Sequence, residues 1–517
     1  MPSRRDRWKQ KQDNQQRQQQ HQLRLNHSPP RYKPETKRER RTHLNWLLRN
    51  IEIGKVTNNW FKNVLQRERI DRGFKVSNER QFGRVWQGGV NCVELCNATE
   101  RFLLAGTVDG TVCAFDSLGF RDREDMSTVS DIFASNRRYR NENTDKKVRT
   151  SEGHAKSVSA VAWYPHDSNC FFSGSFDGTV KLWDASRVEV AITYNSCSSS
   201  SSGSNNNGGS VEAAQRIRDV SLSLSSHLNN DLVAIATDEA NVNLWDPGSN
   251  VVAMVFAKAH PAGCSKIAWS KENAFSVITC GFEGRCAVWD ARRCAIPLFS
   301  MDRRRTVHGN DGSGENVRNP IGYYDENARA HADGIESVLL HPNGRSVFTK
   351  GFGSRGDARI REFDLRTGRC DATKFERFSK KSSAANANGT RSFSGPVNAA
   401  ASQYWYSTTM SCSEDGVNIF VPLQDGSIIV YDARTGAILE RLKCHADRVT
   451  SVQFANRECE LFSSSMDGFL VRWKGKSSAS KNSANTIRDD ENDWSDDADD
   501  KDIGVGMYRN RNVRARA

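Results

Sequence analysis

A four-residue set recurs along this chain at wide, nearly constant spacing. His154, Ser173, Asp177 and Trp183 return as His260, Thr279, Glu283 and Trp289, and again as His445, Ser463, Asp467 and Trp473. In every set the acid stands six positions before the Trp and 22 or 23 after the His. A period of roughly 40 or more residues marks a unit of four short strands repeated around an axis, so an all-β propeller is expected. The spacing also assigns the set a job. The His meets the turn acid, and the hydroxyl four residues before that acid links the His to the indole N–H, because buried polar groups need partners. A Ser/His/Asp set can also be catalytic, but an enzyme needs such a site once and here it comes three times.

Seven blades follow. Asp109-Gly110 and Phe115-Asp116 belong to the first, His154 to Asp184 to the second, and Asp238 with Trp245-Asp246 to the third, which has no evident leading His. His260 to Asp290 make the fourth, His331, Asp357 and Phe363-Asp364 the fifth, Asp425-Gly426 and Tyr431-Asp432 the sixth, and His445 to Trp473 the seventh. Asp-Gly between alternating apolar runs is the hairpin signal expected inside a blade. The stretches 118–152, 301–330 and 379–395 are polar and are expected to project from the rim, where added length costs little closure entropy.

The formal charge of +12 suggests nucleic-acid binding until it is mapped. Residues 1–50 hold 14 Lys/Arg against 4 Asp/Glu and so carry ten of those charges. The basicity therefore belongs to a leader, and direct nucleic-acid binding by the propeller is not expected. Residues 1–42 are Gln-rich and charged and are expected to be disordered. Their Lys37-Arg38-Glu39-Arg40-Arg41 cluster reads best as a nuclear-import signal. Leu44, Leu47, Leu48 and Ile51, then Trp60, Phe61, Val64 and Leu65, show helical spacing, so a helical segment is expected over 43–75 ahead of a propeller at 80–475. Residues 196–210 form a Ser/Asn/Gly insertion. The tail 476–517 is read as disordered, acidic at 489–502 around Trp494 and then basic. Thirteen scattered cysteines, an odd number with no secretory signal, point to reduced thiols. Cys92 and Cys96 are read as core-filling side chains. No apolar run is long enough to span a bilayer. No phosphate loop, metal-ligand set or single nucleophile constellation is visible, so no catalytic residue, metal or cofactor is expected.

Three segments carry a further likeness: GGVNCVELCNATERFLLAGTVDGTVCAFD at Gly88 to Asp116, SVSAVAWYPHDSNCFFSGSFDGTVKLWD at Ser157 to Asp184, and VWDARR at Val288 to Arg293. In these the chain resembles the Cockayne syndrome group A family, WD-repeat substrate receptors of cullin-4 ubiquitin ligases. The run Trp163 to Asp167 is the most specific piece, supported by Phe420 to Leu423 and by the acidic tail with its central Trp. The resemblance implies a seven-bladed WD-repeat β-propeller preceded by a short helical segment, and a nuclear, non-catalytic role in transcription-coupled nucleotide excision repair. It implies docking to the adaptor, damage-specific DNA-binding protein subunit 1, through Trp60, Phe61, Val64 and Leu65 and through the WDxR motif Trp289-Asp290-Ala291-Arg292. On that motif an Arg past a strand end could reach a partner's carboxylate or carbonyls. The implied clients are the Cockayne syndrome group B remodeller and stalled RNA polymerase II. A nuclear scaffold for RNA processing or chromatin assembly, without ligase docking, is the other reading.

Overall fold

The computed structural model describes residues 66–475 except 77–81, 85–88, 118–132, 135–137, 141–146, 150–152, 166–168, 197–214, 224–231, 307–326, 353–358, 371–374 and 376–406, and a few single or paired positions. The expectations for the leader 1–42, for Trp60, Phe61, Val64 and Leu65, for nearly all of the 196–210 insertion, for Asp357 and for the tail 476–517 lie outside the described residues.

Among those residues the chain forms a seven-bladed β-propeller. The innermost strands are Val90–Leu95, Val158–Trp163, Ile217–Leu222, Cys264–Trp269, Ile335–Leu340, Ser411–Cys412 and Val449–Ala455, one per blade in chain order. Each is followed outward by antiparallel neighbours. In blade two, Cys170–Ser175 and Thr179–Asp184 follow, with Glu189–Asn195 at the outer edge. The Asp-Gly turns between second and third strands, Glu283-Gly284 in blade four, lie on one face, called upper here, beside the loops that lead into the inner strands. Gly110, Gly178, Gly284, Gly426 and Gly468 at these turns all have φ between 81° and 89°, a region that favours glycine. The lower face carries the turns that leave the inner and third strands.

The core lies between blades. Cys92, Cys96, Leu104 and Val112 of blade one meet Val158, Trp163, Phe171 and Trp183 of blade two in one buried cluster. Each other neighbouring pair makes a comparable cluster, up to the one joining blades six and seven. Both faces of a blade are therefore covered, which explains the near-continuous apolar runs of second strands such as Phe102–Thr107 and Val233–Thr237.

Inner strands are tied by a repeated bulge. In six blades the second residue of the inner strand is left out of register, namely Asn91, Ser159, Arg218, Ser265, Glu336 and Thr450. A bulge re-aims its side chain. Thr450 Oγ1 donates to the Val90 carbonyl at 2.7 Å, Asn91 Nδ2 to the Val158 carbonyl at 2.7 Å, and Ser159 Oγ to the Ile217 carbonyl at 2.6 Å. The bonds run from blade seven through one and two to three. Beyond that the position serves other ends: it is charged as Arg218 and Glu336, and Ser265 donates to the Cys280 carbonyl of its own blade at 3.0 Å.

Three features depart from the expected outline. The helical segment was expected to reach residue 75, but among the described residues the last helical one is Asp71, and Phe74–Val76 is a strand paired with Phe469–Gly475. It supplies the fourth strand of blade seven, so the propeller begins at residue 74 and not at 80. Phe82–Arg84 pairs along the same edge. Within the supposed rim stretches, Phe133–Ala134 is the outer strand of blade one. Asp302–Thr306 is a fifth strand of blade five, parallel to Arg369–Cys370. Backbone hydrogen bonding outweighs the polar composition of both.

Candidate docking face and blade networks

In blade two the recurrent set closes a relay. Trp183 Nε1 donates to Ser173 Oγ at 2.7 Å, Ser173 Oγ lies 2.7 Å from His154 Nε2, and His154 Nδ1 lies 3.0 Å from Asp177 Oδ2. The carboxylate accepts, so Nδ1 carries the proton, Nε2 accepts from the Ser hydroxyl, and the hydroxyl oxygen is left for the indole. Blade four repeats this with His260 Nδ1 to Glu283 at 2.6 Å, Nε2 to Thr279 at 2.8 Å and Trp289 to Thr279 at 2.9 Å. Blade seven repeats it with His445 to Asp467 at 3.1 Å, to Ser463 at 2.8 Å, and Trp473 to Ser463 at 2.9 Å. The rings are buried and reach no open surface. These are structural clasps.

Burial lowers the His154 pKa, against the pull of Asp177, which keeps the ring neutral. Burial would raise the Asp177 pKa, but the hydrogen bonds from His154 and Thr179 hold it well below the carboxylate range. Both groups bind protons less readily when folded than when unfolded, so stability rises with pH. The His contribution is complete above about pH 6.5, the unfolded imidazole value, and the Asp contribution above about pH 4; each is lost as pH falls below its value. Asp177→Ala is expected to cost about 1–3 kcal/mol by leaving His154 short of a partner. In urea titrations, the wild-type advantage over Asp177→Asn should shrink as pH falls below about 4.

Blade three lacks the set and is held differently. The pairing Val233↔Trp245 matches Phe171↔Trp183, which puts Ile235 where Ser173 stands. With no hydroxyl there, Trp245 Nε1 donates to Asn250 Oδ1 at 3.2 Å. The bulged Arg218 pairs with Asp238, its Nη2 reaching Oδ2 at 3.1 Å, and its guanidinium lies 4.8 Å from the Phe176 ring and 5.3 Å from that of Phe282. One side chain thus joins blades two, three and four at the upper face. Sequence reading did not single out Arg218; its only local trace is an Asp where blades two and four have Phe.

On the lower face, helical backbone at 66–67 and 69–71 lies over blades six and seven. Gln66 Nε2 donates to the Asn456 carbonyl, Arg67 Nε to the Asp415 carboxylate, and Arg69 Nη1 to the Glu458 carbonyl at 3.5 Å. The turn ends at Gly73, φ +83°, where a Cβ would lie 2.6 Å from the Glu440 carboxylate. That carboxylate accepts the Phe74 N–H at 2.9 Å. Asn456 also lines a cavity of ≈ 520 Å³ that receives residues from all seven inner strands or the turns beyond them. Gln66 therefore stands beside the lower mouth of the axis. No local pattern could have revealed these anchors, since their partners lie far along the chain.

The WDxR motif ends the third strand of blade four on the same lower face, across the axis from that helical turn. Trp289 is buried against Phe256, ring centroids 4.7 Å apart, and so cannot meet a partner as the resemblance implied. Asp290 is largely enclosed; its carboxylate accepts Arg292 Nε at 3.0 Å and Nη2 at 2.8 Å. Those bonds hold the Asp290 carboxyl below its usual pKa. The Arg292 guanidinium stacks 4.1 Å from Phe275 with its side chain 61% exposed. Of the motif, Arg292 alone faces outward, as an internally neutralised pair that still has N–H groups to donate.

A family model described as WD domain, G-beta repeat matches residues 145–184 and 436–474. The chain is a WD40-repeat protein. The two matched WD40 repeats hold the relays of blades two and seven. Over 505 residues the chain is 20% identical to WD repeat-containing protein ATCSA-1 of Arabidopsis thaliana, an alignment covering 87% of this chain and 99% of that one. It is also similar to the ribosome biogenesis protein WDR12 homologs of Drosophila erecta, 26% identical over 244 residues, and Drosophila yakuba, 27% over 238. Those alignments cover 44% of this WD40 chain and 51% of each relative, about half their length.

Proposed function

We propose that this chain is a non-catalytic substrate-recognition subunit of a cullin-4 ubiquitin ligase, acting in the nucleus in transcription-coupled nucleotide excision repair. The observation that carries the reading is the extent of the likeness to ATCSA-1, which runs through nearly the whole of both chains rather than through WD40 repeats alone. The lower face supports it: the helical turn at 66–71 and Arg292 share that face, which leaves the upper face for a client. Damage-specific DNA-binding protein subunit 1 is the proposed adaptor. The Cockayne syndrome group B remodeller and stalled RNA polymerase II are the proposed clients. Function is by proximity, since holding a client near a charged ubiquitin carrier makes transfer effectively intramolecular.

Co-purification with the adaptor tests the proposal. Wild type should bind, and both Arg292→Glu and the double change Trp60→Ala, Phe61→Ala should weaken binding while the melting transition stays in place. No binding by wild type overturns the ligase role. The similarity to WDR12 homologs favours a second reading, a scaffold in RNA processing. It predicts that neither change affects the complexes the chain enters.

A further inference from the structure

Six of the seven blades neutralise an arginine with an acid of their own. Arg101 pairs with Asp116 in blade one, Arg187 with Asp184 in blade two and Arg218 with Asp238 in blade three. Arg292 pairs with Asp290 in blade four, Arg434 with Asp432 in blade six and Arg472 with Glu460 in blade seven. Blade five departs from this on its outer side. Asp364 accepts the Arg366 N–H at 2.7 Å, as Asp290 and Asp432 accept those of Arg292 and Arg434, but the Arg366 guanidinium does not fold back onto the carboxylate. Among the described residues, the side chains of Arg303, Arg345, Arg361 and Arg369 likewise have no acidic partner. Glu336 of the same blade is held inside by Lys350.

These arginines share one edge. Arg345 lies in the lower turn beside Leu365, whose N–H its carbonyl accepts at 2.7 Å. Arg361 belongs to the third strand, Arg359–Asp364, Arg366 to the turn beyond it, and Arg369 to the fourth strand, opposite Asp302. The fifth strand brings Arg303, Arg304 and Arg305 in succession, between its bridges to Arg369 and to Cys370. Like charges gathered this closely repel, so an anion bound at this edge relieves a cost.

We infer that this edge of blade five binds the phosphate backbone of a nucleic-acid duplex without reading its sequence. A guanidinium donates paired N–H groups to phosphate oxygens, and these hold no other anion among the described residues. The surface around them decides between anionic partners. Six described residues of 331–370 are exposed, namely Ala332, Pro342, Asn343, Arg345, Arg366 and Arg369. A protein partner calls for an apolar interface core, and a single strand for aromatic rings on which bases stack. This set is small, polar or cationic, which suits a partner that offers backbone charge alone. The third strand rises about 20 Å over its six residues, the length of about six base-pair steps of a duplex. The expectation that the propeller does not bind nucleic acid rested on a sum: the leader leaves only +2 of the +12 to the rest of the chain. That sum hides an edge whose arginines are not cancelled locally as those of the other blades are.

Fluorescence anisotropy of a labelled DNA duplex of about 20 base pairs, titrated with the full chain from about 50 to 200 mM salt, tests this. Wild type should bind, with log K falling linearly against log salt. The triple change Arg345→Ser, Arg366→Ser, Arg369→Ser should weaken binding at least about tenfold at the lowest salt and make the slope shallower by about 3. The same loss should appear when the leader cluster is neutralised by Lys37→Ser, Arg38→Ser, Arg40→Ser and Arg41→Ser, which separates the edge from the basic leader. Arg187→Ser, which removes a paired arginine from blade two, should change neither affinity nor slope. The assay contains no adaptor, so its outcome does not depend on the ligase role. No binding by wild type, or a slope indifferent to the triple change, overturns the inference. So does displacement of the duplex by poly-glutamate as readily as by unlabelled duplex of equal charge, which would assign the edge to acidic proteins.

Discussion

Lys350→Met is expected to destabilise the propeller by about 3–5 kcal/mol, the usual result of stranding one member of a buried ion pair. Lys350 and Glu336 are each almost wholly buried, with Nζ 3.0 Å from Glu336 Oε2. The ammonium also donates to the Pro422 carbonyl at 2.6 Å, which links blade five to blade six. Removing it leaves a carboxylate in a water-poor site with its main counter-charge gone, and frees a carbonyl. Adding Glu336→Leu to Lys350→Met should recover most of the loss, because a pair of apolar side chains avoids the desolvation that the ions incur. Urea unfolding of the two single variants and the double one measures the coupling. If Lys350→Met alone costs under about 1 kcal/mol, the pair is better solvated than its burial implies.

Phe74→Ala is expected to cost about 3–5 kcal/mol, as a buried aromatic truncated in a packed site does. The ring packs edge-on against Phe420 at 5.7 Å and Phe454 at 6.4 Å, within the cluster joining blades six and seven. Its strand closes blade seven through the pairs Phe74↔Gly475 and Val76↔Trp473. The loss therefore falls on the seam that completes the ring. Hydrogen exchange should quicken first in Phe469–Gly475, before blades two to four respond. Uniform quickening across all blades would mean that the seam is not a separate unit of opening.

Legibility followed sequence distance. The relays of blades two, four and seven were readable because no contact in them spans more than 23 positions and each carries residue types with a fixed polar task. Blade five shows part of the same pattern, His331 Nε2 lying 2.8 Å from Thr349, with Phe363 in the Trp position. The closure strand FKV was not readable. Three residues hold no periodicity, and its partner ends the described chain. Asp302–Thr306, with three consecutive arginines, looks like a solvated loop; its strand character comes from a backbone partner in Arg369–Cys370. On the lower face the motif marks the end of a third strand, but spacing alone could not tell that Trp289 turns inward or that Asp290 occupies Arg292. The anchors Gln66 and Arg67 depend on Asn456 and Asp415, and no window of local sequence contains both ends of such contacts.

The seam also sets a timetable. A ribosome delivers Phe74 early and its partners Trp473 and Gly475 only after all the other blades. Until then blade seven does not exist and the Ile70 and Phe74 side chains have no pocket. Pairings this distant in the chain close late and slowly. The helical turn at 66–71 consequently gains its footing on Asn456 and Asp415 only in molecules whose synthesis has run to the last blade. A product truncated before that point has no place to seat the turn, so correct placement of this segment certifies that synthesis reached the last blade.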